Sequence, residues 1–290
     1  MKIIIFGGTG MLGRYVASIL KIYYDIECIN RDSFDILNDN WDKLSNLLGK
    51  LNNYDVVINC AGIIPQRLPN NTSNVSNTSN IPNVNIIKMY FRVNSMFPHK
   101  LQELSGKIGF RFIHITTDCV FNGKRNYGSY NELDNKLENM EQGVYGISKS
   151  LGEPMQACII RTSIIGEEKE NKKSLLEWVK SQNNGVINGF SNHYWNGITC
   201  LTLANIIEKI IRKELFWKGI RHIYSPEIIS KYDLCNMIND IYQLNIEIKY
   251  ISTPKKYNKS LISIYNTCNN FYIPSIREQL TKQKQFILTI

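Results

Sequence analysis

Apolar residues in the first half of the chain fall in short, nearly unbroken runs, and the stretches between them carry apolar residues at helical spacing. Lys2–Phe6 is the first such run; glycines follow it, then a periodic stretch from Met11 to Tyr23. Ile26–Asn30, Asp55–Cys60 and Phe110–Thr116 repeat the short-run pattern, and a helix is expected near Met89–Leu104. Strands alternating with helices build right-handed βαβ units, so the pattern predicts an α/β protein with a doubly wound parallel sheet of the Rossmann type. The runs are apolar at consecutive rather than alternate positions, as a strand buried on both faces requires.

Two stretches depart from this rhythm. Asn70–Asn85 is an Asn/Ser/Thr run that cannot bury apolar surface, and it is expected as a mobile surface insertion. Beyond about Ser163 the strand patterns weaken and helical ones, Leu201–Lys213 and Tyr232–Tyr242, take over. Two regions are therefore expected: residues 1–162 with the parallel sheet, and residues 163–290 as a smaller, mostly C-terminal region.

Bulk properties narrow the picture further. A chain of 290 residues with 43% hydrophobic residues can bury a large core and is not disordered as a whole. No apolar run is long enough to cross a bilayer. The apolar N-terminus is too short for a secretory leader and runs straight into glycines, so it reads as a strand, and Asn-x-Ser/Thr matches such as Asn74-Val75-Ser76 read as accidents of composition. Seven cysteines without CxxC or Cys/His ligand spacing indicate neither a disulfide framework nor a metal site, and point to a cytoplasmic, reducing location. The formal net charge of +9 suits either nucleic acid or polyanionic small molecules. Its Lys and Arg residues are spread along the chain, without a basic arm, so anionic small ligands are expected and nucleic acid or membrane partners are not.

Two constellations carry chemistry. Gly7, Gly10 and Gly13 fit G-x-x-G-x-x-G directly after a strand and at the start of a helix. Small residues there let the backbone approach a dinucleotide pyrophosphate, whose charge the helix N-terminus meets, with Met11 and Leu12 in the same turn. The second strand ends at Asn30-Arg31, and a guanidinium at that place grips the 2′-phosphate of NADPH, although Asp32 next to it leaves NADH open. Asp35 and Ile36 are expected near the adenine, and Cys60, Ala61 and Gly62, closing the third strand, beneath the pyrophosphate and nicotinamide ribose. The second constellation is Tyr145-x-x-x-Lys149, whose members share one helix face. A tyrosine with an ordinary pKa of about 10 is a proton donor at neutral pH, and a neighbouring ammonium is expected to lower that value. Thr117 at the end of the preceding strand is the expected hydroxyl for the substrate carbonyl, with Thr116 its alternative.

These motifs together resemble the dTDP-4-dehydrorhamnose reductase branch of the extended short-chain dehydrogenase/reductases. The resemblance rests on Gly7–Gly13, on Thr116-Thr117-Asp118-Cys119-Val120-Phe121-Asn122-Gly123, on Tyr130-x-Glu132-x-Asp134, on Tyr145-Gly146-x-Ser148-Lys149-x-x-Gly152-Glu153 and on Ile160-Arg161-Thr162. Ser225–Tyr232 is similar to the start of a late helix in the sugar-binding region. The resemblance implies an NADPH-dependent reduction of the C4 ketone of a nucleotide-linked 4-keto-6-deoxyhexose, giving a 6-deoxyhexose such as L-rhamnose. It further implies that 163–290 is mainly the sugar-nucleotide region, interleaved with the Rossmann domain, and that Asn94, Val120, Phe121, Arg161, His193 and Trp195 touch the substrate. Homodimers are common in the family.

Cys119 departs from the rhamnose reductases, which usually carry an aromatic residue there. It resembles the cysteine of bifunctional 3,5-epimerase/4-reductases such as GDP-fucose synthase and the UDP-rhamnose synthases, and implies an epimerase acid/base. The partner such enzymes need is not clean in the sequence: Lys172, Lys173 and His193 are the candidates. A reading of another class, a non-catalytic NADP-binding regulatory subunit, is opposed by the intact Thr117, Tyr145 and Lys149 set.

Overall fold

The computed structural model describes residues 1–67, 84–125, 128–134, 136, 143–170 and 172–288. The first half runs β1 (Lys2–Phe6), α1 (Met11–Leu20), β2 (Asp25–Ile29), α2 (Trp41–Leu48), β3 (Val56–Asn59), α3 (Val84–Phe91), α4 (Phe97–Ile108), β4 (Arg111–Thr117), α5 (Gly143–Leu151) and β5 (Cys158–Thr162). The second half runs β6 (Ile164–Ile165), α6 (Leu175–Ser181), β7 (Val186–Phe190), β8 (His193–Trp195), β9 (Ile198–Thr199), α7 (Cys200–Arg212) and β10 (Gly219–His222). It ends with β11 (Ile229–Ser230), α8 (Lys231–Ile241), β12 (Glu247–Ile251), β13 (Tyr257–Asn258) and α9 (Ile276–Gln285).

Six strands form one parallel sheet in the order β10-β5-β4-β3-β1-β2. Ile3, Ile4, Ile5 and Phe6 of β1 are each at most 2% exposed, because successive side chains enter two cores, one on each face. Burying one such side chain contributes roughly 1.5–3 kcal/mol. On one face α1 packs along α7. On the other, Phe6, Phe34, Trp41 and Phe97 stack into an aromatic cluster. The sixth strand, β10, comes from beyond residue 162 and pairs with β5, so the late part of the chain returns to the main sheet.

The remaining elements make small sheets: β11-β8-β13, β12-β7 and β6-β9. They surround a separate core that includes Leu176, Leu234, Ile238, Ile276 and Leu280. Helix α8 starts on a capping box, in which Ser230 and Asp233 exchange side-chain and backbone hydrogen bonds. The helix expected near Met89–Leu104 is interrupted: between α3 and α4, Arg92–Met96 widens into a π turn. The insertion expected at 70–85 lies outside the described residues except for Val84 and Asn85, which open α3. Among the described residues no helix is long and apolar enough to cross a membrane, and all seven cysteines are free.

Candidate active site

At the end of β1 the chain turns at Gly7, whose φ of +76° is a conformation that side chains rarely permit. Gly10 closes the turn by donating to the Gly7 carbonyl at 2.9 Å. Gly13 is needed for close packing: a Cβ there would stand 2.0 Å from the Gly7 oxygen. It does not line the cavity, unlike Gly7, Gly10 and Met11. Helix α1 begins with no side-chain cap and no acidic residue in its first turn. Its positive end is therefore left for a ligand anion.

A cavity of about 420 Å³ extends from this turn past Asn30, Arg31, Asp35 and Ile36 to Cys60, Ala61 and Gly62. The glycine turn in its wall and the uncapped helix fit a dinucleotide. The Asp35 carboxylate is held by the Leu37 amide and the Asn38 side chain. The sequence reading missed a third wall, Glu168–Glu170 in the loop after β6. Glu168 accepts from the Lys173 and Ser174 amides at 2.6 and 2.8 Å, so the loop is braced. No local motif marks it.

The cavity continues, through Met11 and Cys60–Ile63, into a space of about 300 Å³ that Leu12, Thr116, Thr117, Tyr145 and Lys149 line. Thr117 caps a short turn, Asp118–Val120, accepting from the Cys119 amide and donating to Asp118 Oδ1, both at 3.1 Å. Lys149 is 6% exposed and donates to the Ile115 carbonyl at 3.3 Å. Burial pulls its ammonium down to about 8, against the opposing pull of Glu153 and Cys60. Burial also pushes the Tyr145 phenol well above its ordinary value, with Cys119 adding to the rise. The lowering expected at Tyr145 is therefore not the net effect: burial outweighs the Thr117 hydrogen bond that draws the phenol down.

Beyond Tyr145 a third cavity, of about 620 Å³, is lined by Cys119, Phe121, His193, Trp195, Lys231 and Lys259 among others. Lys259 Nζ donates to Cys119 Sγ at 3.5 Å across 140 residues of sequence. Burial raises the Cys119 thiol and Asp118 adds to this, while Lys259 draws it back. Burial would lower Lys259, but Cys119 and Asp118 outweigh it and leave the ammonium raised. His193 Nε2 lies 2.9 Å from Thr253 Oγ1, and its ring stacks on Phe190. Burial lowers His193, and Lys231 lowers it further. Lys173 lines the middle cavity with Cys119. Exposed Lys172, at φ +42°, is not among the residues lining these three cavities.

Three residues expected at the substrate are placed elsewhere. Arg161 has no exposed surface; its Nε and one terminal nitrogen grip Glu153 at 2.9 and 2.8 Å. Its other nitrogen reaches His222 Nε2 at 2.9 Å, which makes that nitrogen the acceptor and Nδ1 the donor to the Ile262 carbonyl. A guanidinium so committed is a structural cation. Val120 is fully buried in a small cluster with Phe121, Tyr130 and Leu261. Asn94, on the π turn, is 1% exposed. Its amide exchanges hydrogen bonds with the Ile63 backbone and donates to Ser148 Oγ, so it fixes the loop after β3 against α5. Phe121 does line the outer cavity, with its ring stacked on Tyr130 at 4.2 Å. Among the described residues no group of three or more His, Cys, Asp or Glu side chains is arranged to hold a metal ion.

Comparison with known proteins agrees with this geometry. The profile of the NAD dependent epimerase/dehydratase family matches residues 3–162, and that of the RmlD substrate binding domain matches residues 87–261. A dTDP-4-dehydrorhamnose reductase of Mycobacterium tuberculosis is 25% identical over 170 residues, 56% of this chain and 49% of that protein. The spore coat polysaccharide biosynthesis protein SpsK of Bacillus subtilis is 27% identical over 176 residues, 57% of this chain and 58% of that protein. The matches thus span about half the length of these relatives. The crystal structure of a dTDP-4-dehydrorhamnose reductase from Clostridium acetobutylicum superimposes with a TM-score of 0.76 at 21% identity, covering 98% of this chain and 99% of that one. A dTDP-4-dehydrorhamnose reductase from Bacillus anthracis, in complex with NADP, gives 0.76 and 21%, with 98% of both chains covered. At these identities the structural likeness shows the fold.

Proposed function

Because the chain belongs to the NAD dependent epimerase/dehydratase family and carries an RmlD substrate binding domain, we propose that it is an NADPH-dependent reductase acting on the C4 ketone of a nucleotide-linked 4-keto-6-deoxyhexose. One observation carries the reading: Thr117, Tyr145 and Lys149 meet in a cavity that is continuous with the glycine-turn cavity on one side and shares Tyr145 with the outer cavity on the other. A nicotinamide dinucleotide held by the glycine turn and the start of α1 would supply the hydride for the carbonyl carbon. The Tyr145 hydroxyl gives its proton to the carbonyl oxygen, so that alcohol and phenolate form together. The Thr117 hydroxyl, turned from Asp118 onto the substrate, orients that oxygen, and the Lys149 ammonium holds a positive charge near the developing phenolate. Arg31, at the far end of the first cavity, is the group for a 2′-phosphate and supports NADPH over NADH.

The test is NADPH oxidation with 4-keto-6-deoxyglucose linked to UDP, dTDP or GDP, with the product sugar identified by NMR. Tyr145→Phe is expected to lower kcat by roughly 10²- to 10⁴-fold and to leave NADPH affinity unchanged. Full turnover in that variant overturns the reading, and no turnover by the unaltered protein favours a regulatory subunit.

The Lys259–Cys119 contact favours a second reading, in which C3 or C5 is epimerised before reduction. The Cys119 thiolate takes the carbon-bound proton, forming S–H as C–H breaks, while the enolate oxygen rests on Tyr145; a second group returns a proton from the opposite face. His193 faces the same cavity and is the candidate for that group. Solvent deuterium entering C3 or C5, lost in Cys119→Ser, is the expected result; a product free of deuterium at both carbons removes the reading.

A further inference from the structure

The five residues of the π turn, Arg92–Met96, grip separate parts of the dinucleotide site. Arg92 serves the adenosine end. Its Nε donates to the Ile36 carbonyl at 2.6 Å, a terminal nitrogen donates to the Asp39 carbonyl, and the guanidinium lies 4.3 Å from the centre of the Trp41 ring. Ile36 lines the first cavity with Arg31 and Asp35, so Arg92 anchors the loop that presents all three. That loop is tied within itself, since the Asp35 amide donates to the Asp39 carboxylate at 2.7 Å. Val93, the next residue of the turn, is part of the cavity wall.

The rest of the turn serves the catalytic helix. Asn94 donates to Ser148 Oγ at 3.1 Å, and the Ser95 hydroxyl donates to the Ser148 carbonyl at 2.6 Å. Ser148 stands in α5 between Tyr145 and Lys149, and its own hydroxyl donates to the Tyr145 carbonyl at 2.8 Å. Tyr90, just before the turn, sets its ring 6.1 Å from that of Tyr145. The Arg92–Ile36 and Ser95–Ser148 bonds span 56 and 53 residues of sequence, so they fix distant segments and add nothing to the helix that carries them. A π turn is rare and is kept mostly at functional positions. Here it is the shortest stretch of chain that touches both the adenosine loop and the tyrosine–lysine helix.

We propose that the π turn couples the two ends of the dinucleotide site, with Arg92 as its positioning residue, so that filling the adenosine end raises affinity at the nicotinamide end. This rests on the reading of a dinucleotide cofactor and needs no particular sugar. A ligand that fixes the loop Asn30–Asp39 fixes the two carbonyls that hold Arg92. Through the turn it also restrains Ser148, and with it the helix that carries Tyr145 and Lys149. The second ligand then has less of the protein to order, and the same factor applies in both directions.

The experiment splits the cofactor into halves: reduced nicotinamide mononucleotide (NMNH) and 2′-AMP, which lacks the 5′-phosphate and so does not crowd the NMNH phosphate. Fluorescence titration with NMNH is run without and with saturating 2′-AMP. In the unaltered protein 2′-AMP is expected to tighten NMNH binding about fivefold or more. Arg92→Met cuts the turn from the adenosine loop; NMNH alone should bind as before, and the enhancement should shrink to less than about twofold even where 2′-AMP saturates the variant. Ser95→Ala cuts the turn from α5; 2′-AMP alone should bind as before, and the enhancement should again be lost. A merely structural role would weaken the halves themselves and not the link between them. If the halves bind independently in the unaltered protein, or if either variant keeps the full enhancement, the coupling is overturned and the cofactor reading stands. If neither half binds, the cofactor reading falls and the coupling with it. Sugar turnover enters neither measurement, so failure of the proposed reduction is scored separately.

Discussion

At the glycine-turn end, the cavity wall includes the small residues Gly7, Gly10, Ala61 and Gly62, set at the ends of two neighbouring strands of the main sheet. At the outer end it is side chains: Cys119, His193, Trp195, Lys231 and Lys259, delivered by segments that pair in a different, three-stranded sheet or follow β4. At Gly7 the first wall has no room for a Cβ, which would stand 2.7 Å from the Ala61 nitrogen, and the second wall depends on which functional groups are present. A pyrophosphate common to dinucleotides needs only amides and a helix end, whereas a particular sugar and its charge must be told apart from others by functional groups.

The sharpest way to break this division is at Arg161, which lines neither cavity and is buried on Glu153 and His222. Arg161→Met leaves the Glu153 carboxylate buried without its main partner, and a loss of about 3–5 kcal/mol is expected in urea unfolding. Both ends of the site should fail together. A variant that keeps its stability would show that Lys136, 2.5 Å from Glu153, is enough. Gly13→Ala sharpens the backbone side: forcing a Cβ against the Gly7 oxygen is expected to weaken NADPH binding roughly 10- to 100-fold, while Lys259→Ala leaves it unchanged. Fluorescence titration of bound NADPH separates the two.

Lys149 joins the two walls and gives a pH signature. Its ammonium is held down to about 8, against an ordinary value of 10.5. Between these values the unfolded chain binds more protons than the folded one, so this group makes stability rise with pH across that window. The function of the charge runs the other way, and turnover is expected to fall as pH passes 8, about tenfold per unit once the charge is mostly lost. Profiles of kcat and of the urea midpoint check the pair of slopes, and Lys149→Met should remove the stability slope. The smallest effect is at Arg31: Arg31→Ala should weaken NADPH binding about tenfold and leave NADH binding as it was.

Much of the inner site was legible because its residues are close in sequence and their spacing has mechanical meaning. The turn Gly7–Gly13 needs small residues, and Tyr145 and Lys149 need four positions on one helix face. Substrate contacts were read less well. Arg161 sits in a family motif, yet its charge answers Glu153 and His222; a motif marks where a residue is required and not what it touches. Lys259 carries no local signal at all, since its neighbour Cys119 is 140 residues away. Lys231 had one that went unused: a cation in the first turn of a helix, where an anion is preferred.

The sequence by itself determined the parallel sheet, the turn for a dinucleotide and the tyrosine–lysine pair, because each follows from local geometry repeated along the strand or helix. Tertiary structure alone decided which charges are buried as partners and which face the cavity. Arg161 was drawn into the core by a carboxylate eight residues away, while Lys231 and Lys259 were brought together by sheet pairings that no spacing records.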